Sequence, residues 1–260
     1  MEGIIPEILY KYKPLNEFTL RLLTNGELYF PSISNLNDPF EGSIPYVFDP
    51  EELSEKNIYK VLYSMAKEDN PTWSEKQLDE YVKQEQNNKL LFNDEYLKTQ
   101  HAKIVRTVDE NFGILSLTTQ KNNFLMWSHY TNSHQGICIG FDTAKLFEAA
   151  SGVMGAVSYD ETFPIKHLQE DVADFVKRLL FTKAKYWEYE DEYRLTKIGL
   201  AKKNVTLPSD TIVELIFGCK TQDSDKTDII SKIQKINPNC NIYETVLSKT
   251  NFELDINPIY

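Results

Sequence analysis

The chain has 260 residues, of which 41% are hydrophobic and 12% aromatic, a composition typical of a folded globular protein. The net charge of −11 argues against broad, sequence-independent binding to nucleic-acid phosphates. No apolar run approaches the roughly 18 residues of a membrane helix and the N-terminus is not a secretory signal, so we expect a cytoplasmic protein without a membrane partner.

The first residues predict a strand, a helix and a second strand. The alternation in ILYKYK places Tyr10 and Tyr12 on one face of the first strand. Asn16 is typical of a helix N-cap, and the helix ends before Gly26. The predicted elements are a strand over 8–13, a helix over 17–24, a strand over 27–30 and an ordered loop over 31–46.

Residues 49–111 differ from the rest of the chain because they are charged, contain no glycine and show helical spacing of apolar residues. Asp49-Pro50-Glu51-Glu52 is typical of a helix start, and the segment from Thr72 to Glu75 matches a capping box. We expect about three helices here. They would form an insertion or lid within a single domain spanning 1–260, and would offer a surface to a protein partner.

Beyond Gly113 the sequence predicts strands alternating with helices. This order favours an α+β fold with a mixed, largely antiparallel central sheet and flanking helices over a doubly wound parallel sheet. No Gly-rich dinucleotide-binding or Walker motif is present. The predicted strands are 113–118, 136–141, 153–159, 193–198, 212–217 and 241–247, and the predicted helices are 143–150, 167–184 and 223–236.

Four polar-tipped rings lie within eight positions just before the strand predicted at 136–141: Trp127, His129, Tyr130 and His134. Each requires a hydrogen-bond partner when it is buried. Such residues suit the wall of a pocket, where they offer flat faces to a ring and donors that orient it. The H-x4-H-x3-C spacing of the two histidines and Cys138 matches no standard zinc pattern, so we expect no metal.

The segment KYWEYEDEYR, residues 185–194, leads from a helix into a strand. In an extended conformation Glu188, Glu190 and Glu192 share one side. Carboxylates this close repel one another, which raises a pKa unless Arg194 compensates. A glutamate at a strand start can orient a ribose hydroxyl or stabilise positive charge at a sugar carbon. The alternative is an edge strand whose solvated charges prevent association between sheets.

Five motifs combine these elements: LYKY at 9–12, GELYF at 26–30, NDPFE at 37–41, MWSHY…HQGI at 126–137 and WEYEDEYR at 187–194. Together they resemble a large bacterial family of uncharacterised proteins, a domain of unknown function that often occurs near mobile elements and phage-defence genes. The order of the parts is in turn similar to the ADP-ribosyltransferase-like fold, although no complete Arg-Ser-Glu or His-Tyr-Glu signature is present.

The resemblance implies an NAD-consuming ADP-ribosyltransferase-like toxin or phage-defence effector that modifies a nucleic acid or a protein. By position in the motifs it implies Glu192 or Glu190 as the catalytic acid, with His129 beside it. It implies that NAD is held by residues from all three clusters: Tyr10, Tyr12, Trp127, Tyr130, His134 and Arg194. We expect these side chains to converge on one cleft.

Two other classes of function fit the same residues. In the first, the protein is a non-catalytic module of a defence system, whose pocket around 124–142 binds a nucleotide-like signal or a phage protein while the 49–111 helices provide the interface. In the second, it is a metal-dependent nuclease that uses Glu188, Glu190 and Glu192. Nicotinamide release, partner binding without turnover and divalent-metal-dependent cleavage of nucleic acid distinguish the three.

Overall fold

The computed structural model describes residues 5–259, which contain twelve strands and eight α-helices. The strands are β1 (Ile8–Lys13), β2 (Glu27–Phe30), β3 (Phe112–Thr118), β4 (Ile137–Asp142), β5 (Val153–Ala156), β6 (Ser158–Asp160), β7 (Thr182–Ala184), β8 (Glu192–Ile198), β9 (Lys203–Thr206), β10 (Ile212–Phe217), β11 (Asn241–Leu247) and β12 (Leu254–Pro258). The helices are α1 (Glu17–Asn25), α2 (Glu55–Asp69), α3 (Glu75–Asn87), α4 (Asp94–Asn111), α5 (Phe124–Tyr130), α6 (Thr143–Ala150), α7 (Val172–Leu180) and α8 (Asp223–Ile236).

Eight of the strands form one sheet in the order β12-β11-β10-β4-β1-β3-β8-β5. Its strand pairs are antiparallel except β10 with β11, which is parallel. The predicted α+β fold with a mixed, largely antiparallel central sheet and flanking helices is therefore confirmed. Two small sheets, β2 with β9 and β6 with β7, lie beside it.

The two faces of the sheet differ in what covers them. Leu9 and Ile139 lie on a face that packs against apolar residues of α1, α6 and α8. Tyr10, Tyr12 and Cys138 lie on the opposite face, together with Trp127 of α5. Because successive residues of a strand point to opposite faces, the predicted site residues of β1 share this second face.

The three helices expected between 49 and 111 are present as α2, α3 and α4, and α2 and α3 pack around an apolar core of their own with Phe48 and Leu168. The capping box of α3 is Ser74 with Gln77, two residues later than predicted, because each side chain accepts a hydrogen bond from the other's backbone N–H. The role of this segment as an insertion, lid or partner surface stays a prediction.

Two predicted elements are shorter than expected. The helix predicted over 167–184 begins only at Val172, since the Asp171 side chain caps α7, and the chain then forms β7. The strand predicted over 153–159 divides at Val157, whose N–H donates to Glu192 while the next N–H donates to Phe181. Within residues 5–259, no helix combines the length and apolar character needed to cross a membrane.

Candidate functional site

Five residues form a row across the sheet. Glu214 pairs with Gly140, Gly140 with Tyr10, Tyr10 with Thr118, and Thr118 with Glu192. Directly paired residues present their side chains on the same face. The Tyr10 hydroxyl donates to Glu214 Oε2 at 3.0 Å. The register thus brings Tyr10 near Glu192 although they are far apart in sequence.

A cavity of about 230 Å³ lies on this face, and we call it the main cavity. Five of the predicted site residues line it: Tyr10, Tyr12, Tyr130, Glu190 and Glu192. Lys11, Asn37, Ser116 and Lys183 contribute further polar groups to the wall. The main cavity therefore joins residues from the first strand, the loop after β2, helix α5 and the start of β8.

A network of buried charges forms the floor of the main cavity. Lys183 Nζ lies 2.6 Å from Glu190 Oε2 and 3.1 Å from Glu192 Oε2. Arg194 Nε lies 2.8 Å from Glu192 Oε1, and its Nη2 lies 2.8 Å from Glu41 Oε1. All five side chains are at most 5% exposed. Three carboxylates thus face two cations away from bulk water, where ion pairs are screened little.

Burial and pairing act in opposite directions on these groups. Burial alone would raise the pKa of Glu192, but Arg194 and Lys183 outweigh it and lower that pKa to about 2. Burial likewise opposes the charge on Lys183, yet its carboxylate neighbours raise its pKa. At Glu41 burial prevails over the attraction of Arg194, and the pKa is raised. Glu192 and Lys183 are therefore ionised at neutral pH.

Tyr130 connects the network to two other parts of the chain. Its hydroxyl donates to Glu190 Oε1 at 2.5 Å and accepts from Asn37 Nδ2 at 2.8 Å. Burial, with the charge of Glu190, raises the pKa of Tyr130. Its proton thus stays in place to hold Glu190 toward the cavity. The Thr118 hydroxyl also holds the backbone at Glu190, because it donates to the Glu190 carbonyl at 2.5 Å.

Lys11 adds an amine of unusual character. The residue is half-buried, and its amine donates to the Ser116 carbonyl at 2.8 Å. Burial, with a smaller effect of Lys13, lowers the pKa of Lys11 to about 7. Lys11 therefore loses its proton at a lower pH than an ordinary lysine does.

Four predicted site residues do not line the main cavity. Trp127 is fully buried, packs edge-to-face against Tyr12 at a ring distance of 5.1 Å and donates to the Lys121 carbonyl. His129 is exposed, 6.3 Å from the Tyr130 ring. The predicted convergence is thus partial. Trp127 cannot offer a face to a ligand because the core already covers its ring.

His134 and Arg194 are the other two of these residues. His134 is buried in the turn between α5 and β4 and does not line the main cavity. It adopts a left-handed backbone conformation with φ of 71°, and its ring lies 4.9 Å from that of Phe124. Burial, with the charge of Lys220, lowers the pKa of His134. Arg194 does not line the main cavity, but it contacts Glu192, which does. The ligand-binding roles assigned to both residues stay predictions.

Glu188, Glu190 and Glu192 do not share one side, as they would in an extended conformation. Residues Lys185–Glu190 form a 3₁₀ helix, and Asp191 follows in a left-handed conformation with φ of 44°. Glu188 consequently lies exposed, while Glu190 and Glu192 turn inward. Lys183 occupies the space between the two inward carboxylates, so the three-carboxylate set of the nuclease hypothesis is not assembled.

Sequence reasoning did not single out Glu41 and Lys183 as site residues. Glu41 ends the NDPFE motif, so the motif was the signal, but its two acidic residues, Asp38 and Glu41, lie in a loop that otherwise looked structural. Lys183 belongs to a segment rich in basic residues, and only its burial distinguishes it. Glu41 contacts Lys183 and Arg194, which are far away in sequence, and local patterns do not report such contacts.

A separate group of metal-ligand types lies outside the main cavity. Asp49, Glu52 and His167 place ligand atoms within 4.8 Å of one another. Glu52 uses both oxygens, one 3.0 Å from His167 Nδ1 and the other accepting from the Leu168 N–H. These contacts join the start of the helical segment to the loop before α7. We assign no metal to this group.

One comparison with known proteins bears on this site. A family model described as a protein of unknown function (DUF2971) matches residues 126–195. That range includes Tyr130, Lys183, Glu190, Glu192 and Arg194. The match supports an uncharacterised domain family over this range. No curated protein and no solved structure matches the chain.

Proposed function

We propose that the chain is an NAD-consuming ADP-ribosyltransferase-like enzyme, a toxin or defence effector that acts on a nucleic acid or a protein. The observation that carries the proposal is a pair of buried glutamates, Glu190 and Glu192, that line the main cavity together with Tyr10, Tyr12 and Tyr130. Aromatic rings suit the flat nicotinamide, and carboxylates suit the ribose hydroxyls and a cationic sugar.

The reaction breaks the bond between the ribose carbon and the nicotinamide nitrogen. Both electrons of that bond leave with nicotinamide, which departs neutral, and the sugar becomes a cation. The ionised carboxylate of Glu192 would stabilise that cation, and the tyrosine rings would shield it from water. A nucleophile on the acceptor, or water, then bonds to the sugar carbon and loses a proton.

Nicotinamide release tests this proposal. Purified protein is incubated with NAD, with and without cell extract as a source of acceptor. We expect Glu192→Gln to lower the rate about 100-fold or more, since a preorganised charge typically contributes this much. Glu188→Gln is the matched control, because Glu188 is exposed and should leave the rate unchanged. Wild-type protein that releases no nicotinamide under any of these conditions contradicts the proposal.

A second candidate is a non-catalytic module that binds a nucleotide-like signal or a protein. The ion pairs in the floor of the main cavity favour this candidate. Lys183 already contacts both Glu190 and Glu192, and these contacts offset the negative charge that the two glutamates would present to a substrate. Isothermal titration of NAD separates the two. Tight binding that Tyr12→Ala weakens, without any release of nicotinamide, supports the binding module.

A further inference from the structure

A second cavity lies on the other side of the charge network, with a volume of about 160 Å³. Lys183 lines both cavities, whereas Glu41 lines only the second one. Glu190 and Glu192 line only the main cavity. The network of buried charges is therefore a partition between two spaces, and the NAD hypothesis uses one of them.

The wall of the second cavity is largely aromatic and apolar. Phe40 and Phe163 lie 5.9 Å apart with their rings tilted, and they are 52% and 45% exposed. Tyr186, which is 93% exposed, stands at the rim. Ile44 and Pro164 complete the apolar lining. Exposed ring faces grouped around a concave space are suited to a cation or to another apolar surface.

The charges in the wall decide between these ligands. Four carboxylates line the cavity: Asp38, Glu41, Asp160 and Glu161. Lys183 is the single basic residue of the lining in the described part of the chain, and it is already engaged by two glutamates of the partition. Glu161 is also 3.5 Å from exposed Lys185 outside the lining. Negative charge remains in excess, which favours a cationic ligand.

Two of these carboxylates are incompletely paired. Asp38 Oδ2 and Glu41 Oε2 are buried and have no hydrogen-bond partner. Asp38 is 3% exposed, and its other oxygen accepts from the Phe40 N–H at 2.9 Å. The Glu41 side chain is 5% exposed. A buried carboxylate oxygen without a partner is unfavourable, and a cation in the adjoining space would compensate it.

We propose that the second cavity binds an organic cation, a guanidinium or ammonium group carried on an apolar stem. The charged head would lie against Asp38 and Glu41, and the stem would pack between Phe40 and Phe163. Free amines and the side chains of arginine and lysine share this chemistry. The test of this site does not depend on NAD turnover, because cation binding is measured without NAD.

Titration calorimetry with n-butylguanidinium tests the site, with n-butylurea as a neutral compound of similar shape. We expect the cation to bind at least tenfold more tightly. Asp38→Asn keeps the acceptor for the Phe40 N–H and should weaken cation binding about tenfold or more. Phe163→Ala should weaken both compounds. Glu148→Gln, at an exposed position on α6, is the control and should bind like wild type.

Two further probes identify the source of the cation. Agmatine represents a free amine, and a blocked Gly-Arg-Gly peptide represents a protein side chain. Binding of the peptide as tightly as agmatine assigns a protein ligand, and binding of agmatine alone assigns a small molecule.

Three outcomes would overturn the proposal. They are equal binding of the neutral compound, no saturable binding of any cation, and a folded Asp38→Asn protein with unchanged affinity. If Asp38→Asn does not fold, the preference of the wild-type protein for n-butylguanidinium over n-butylurea still tests the charge, and Phe163→Ala tests the contact with the apolar stem.

Discussion

Three glutamates of similar sequence context have different environments in this protein. Glu188 is exposed, whereas Glu190 and Glu192 are buried and bonded to Lys183. The difference arises from a 3₁₀ helix and the left-handed Asp191, which rotate the side chains out of the alternation of a strand. The sequence therefore predicted the cluster but not which members face the cavity.

Tyr130→Phe tests the link between α5 and Glu190. The substitution removes the hydroxyl that donates to Glu190 Oε1 and accepts from Asn37. We expect nicotinamide release to fall about tenfold, and the free energy of unfolding to fall by about 1–2 kcal/mol, since a hydrogen bond to a charged group is lost. Tyr186→Phe, at a 93% exposed tyrosine, should change neither quantity. Equal rates of nicotinamide release for the two variants would show that Tyr130 has no role in the site.

Lys11 should make the stability of the protein rise with pH. Its pKa falls from 10.5 in the unfolded chain to about 7 in the folded protein. Between these values the unfolded state binds more protons, so stability rises with pH, by at most about 1.4 kcal/mol per pH unit. Lys11→Met removes this dependence. In denaturant unfolding, the free energy of unfolding of wild type relative to that of Lys11→Met should be larger at pH 9 than at pH 7.

The matched control for this measurement is Lys185→Met, because Lys185 is exposed. Its difference from wild type should be the same at both pH values. A Lys11→Met difference that also stays constant would show that Lys11 titrates at an ordinary pKa in the folded protein. In that case the cavity would contain an ammonium group, and a neutral amine would play no part in its chemistry.

At the scale of elements, local patterns predicted the main strands well. β1, β2, β10 and β11 have the predicted bounds, because alternation and turn residues lie within the segments themselves. β7 and β9 escaped prediction, since they are three and four residues long and depend on pairing with β6 and β2. The register of β1, β3 and β8, which builds the main cavity, is likewise set by contacts distant in sequence.

Gly140→Ala tests this register. A Cβ at Gly140 would lie 2.9 Å from the Tyr10 ring and 2.9 Å from Glu214 Cβ, closer than real Cβ contacts. We expect a loss of about 1–3 kcal/mol in unfolding free energy and a displaced Tyr10 with weaker NAD binding. Gly155→Ala in β5 is the matched control, because its nearest atom, in Phe181, is 3.4 Å away. Equal effects of the two substitutions would contradict this account.

At the scale of the whole molecule, the sequence predicts that the helical segment is distinct from the sheet, but it does not predict the two cavities. Composition separated residues 49–111 from the rest, and α2 and α3 do pack around a core distinct from that of the sheet. The cavities, in contrast, lie where loops and strands from opposite ends of the chain meet. Glu41, Lys183 and Arg194 come from a loop, from β7 and from β8, so no local pattern predicts their contact.

Limited proteolysis tests the division of the molecule into a sheet domain and a helical segment. The turn between α3 and α4 contains Lys89, which is exposed and adopts a left-handed backbone conformation with φ of 54°. Exposed turns of this kind are the preferred sites of nicking. We expect trypsin to cut first within residues 49–111, where mass spectrometry of early fragments will locate the bond. The strands between 113 and 247 are held by the main sheet and should be cut later. First cleavage between 113 and 247 would show that the sheet opens before the helices do, and that the helical segment is an integral part of the domain.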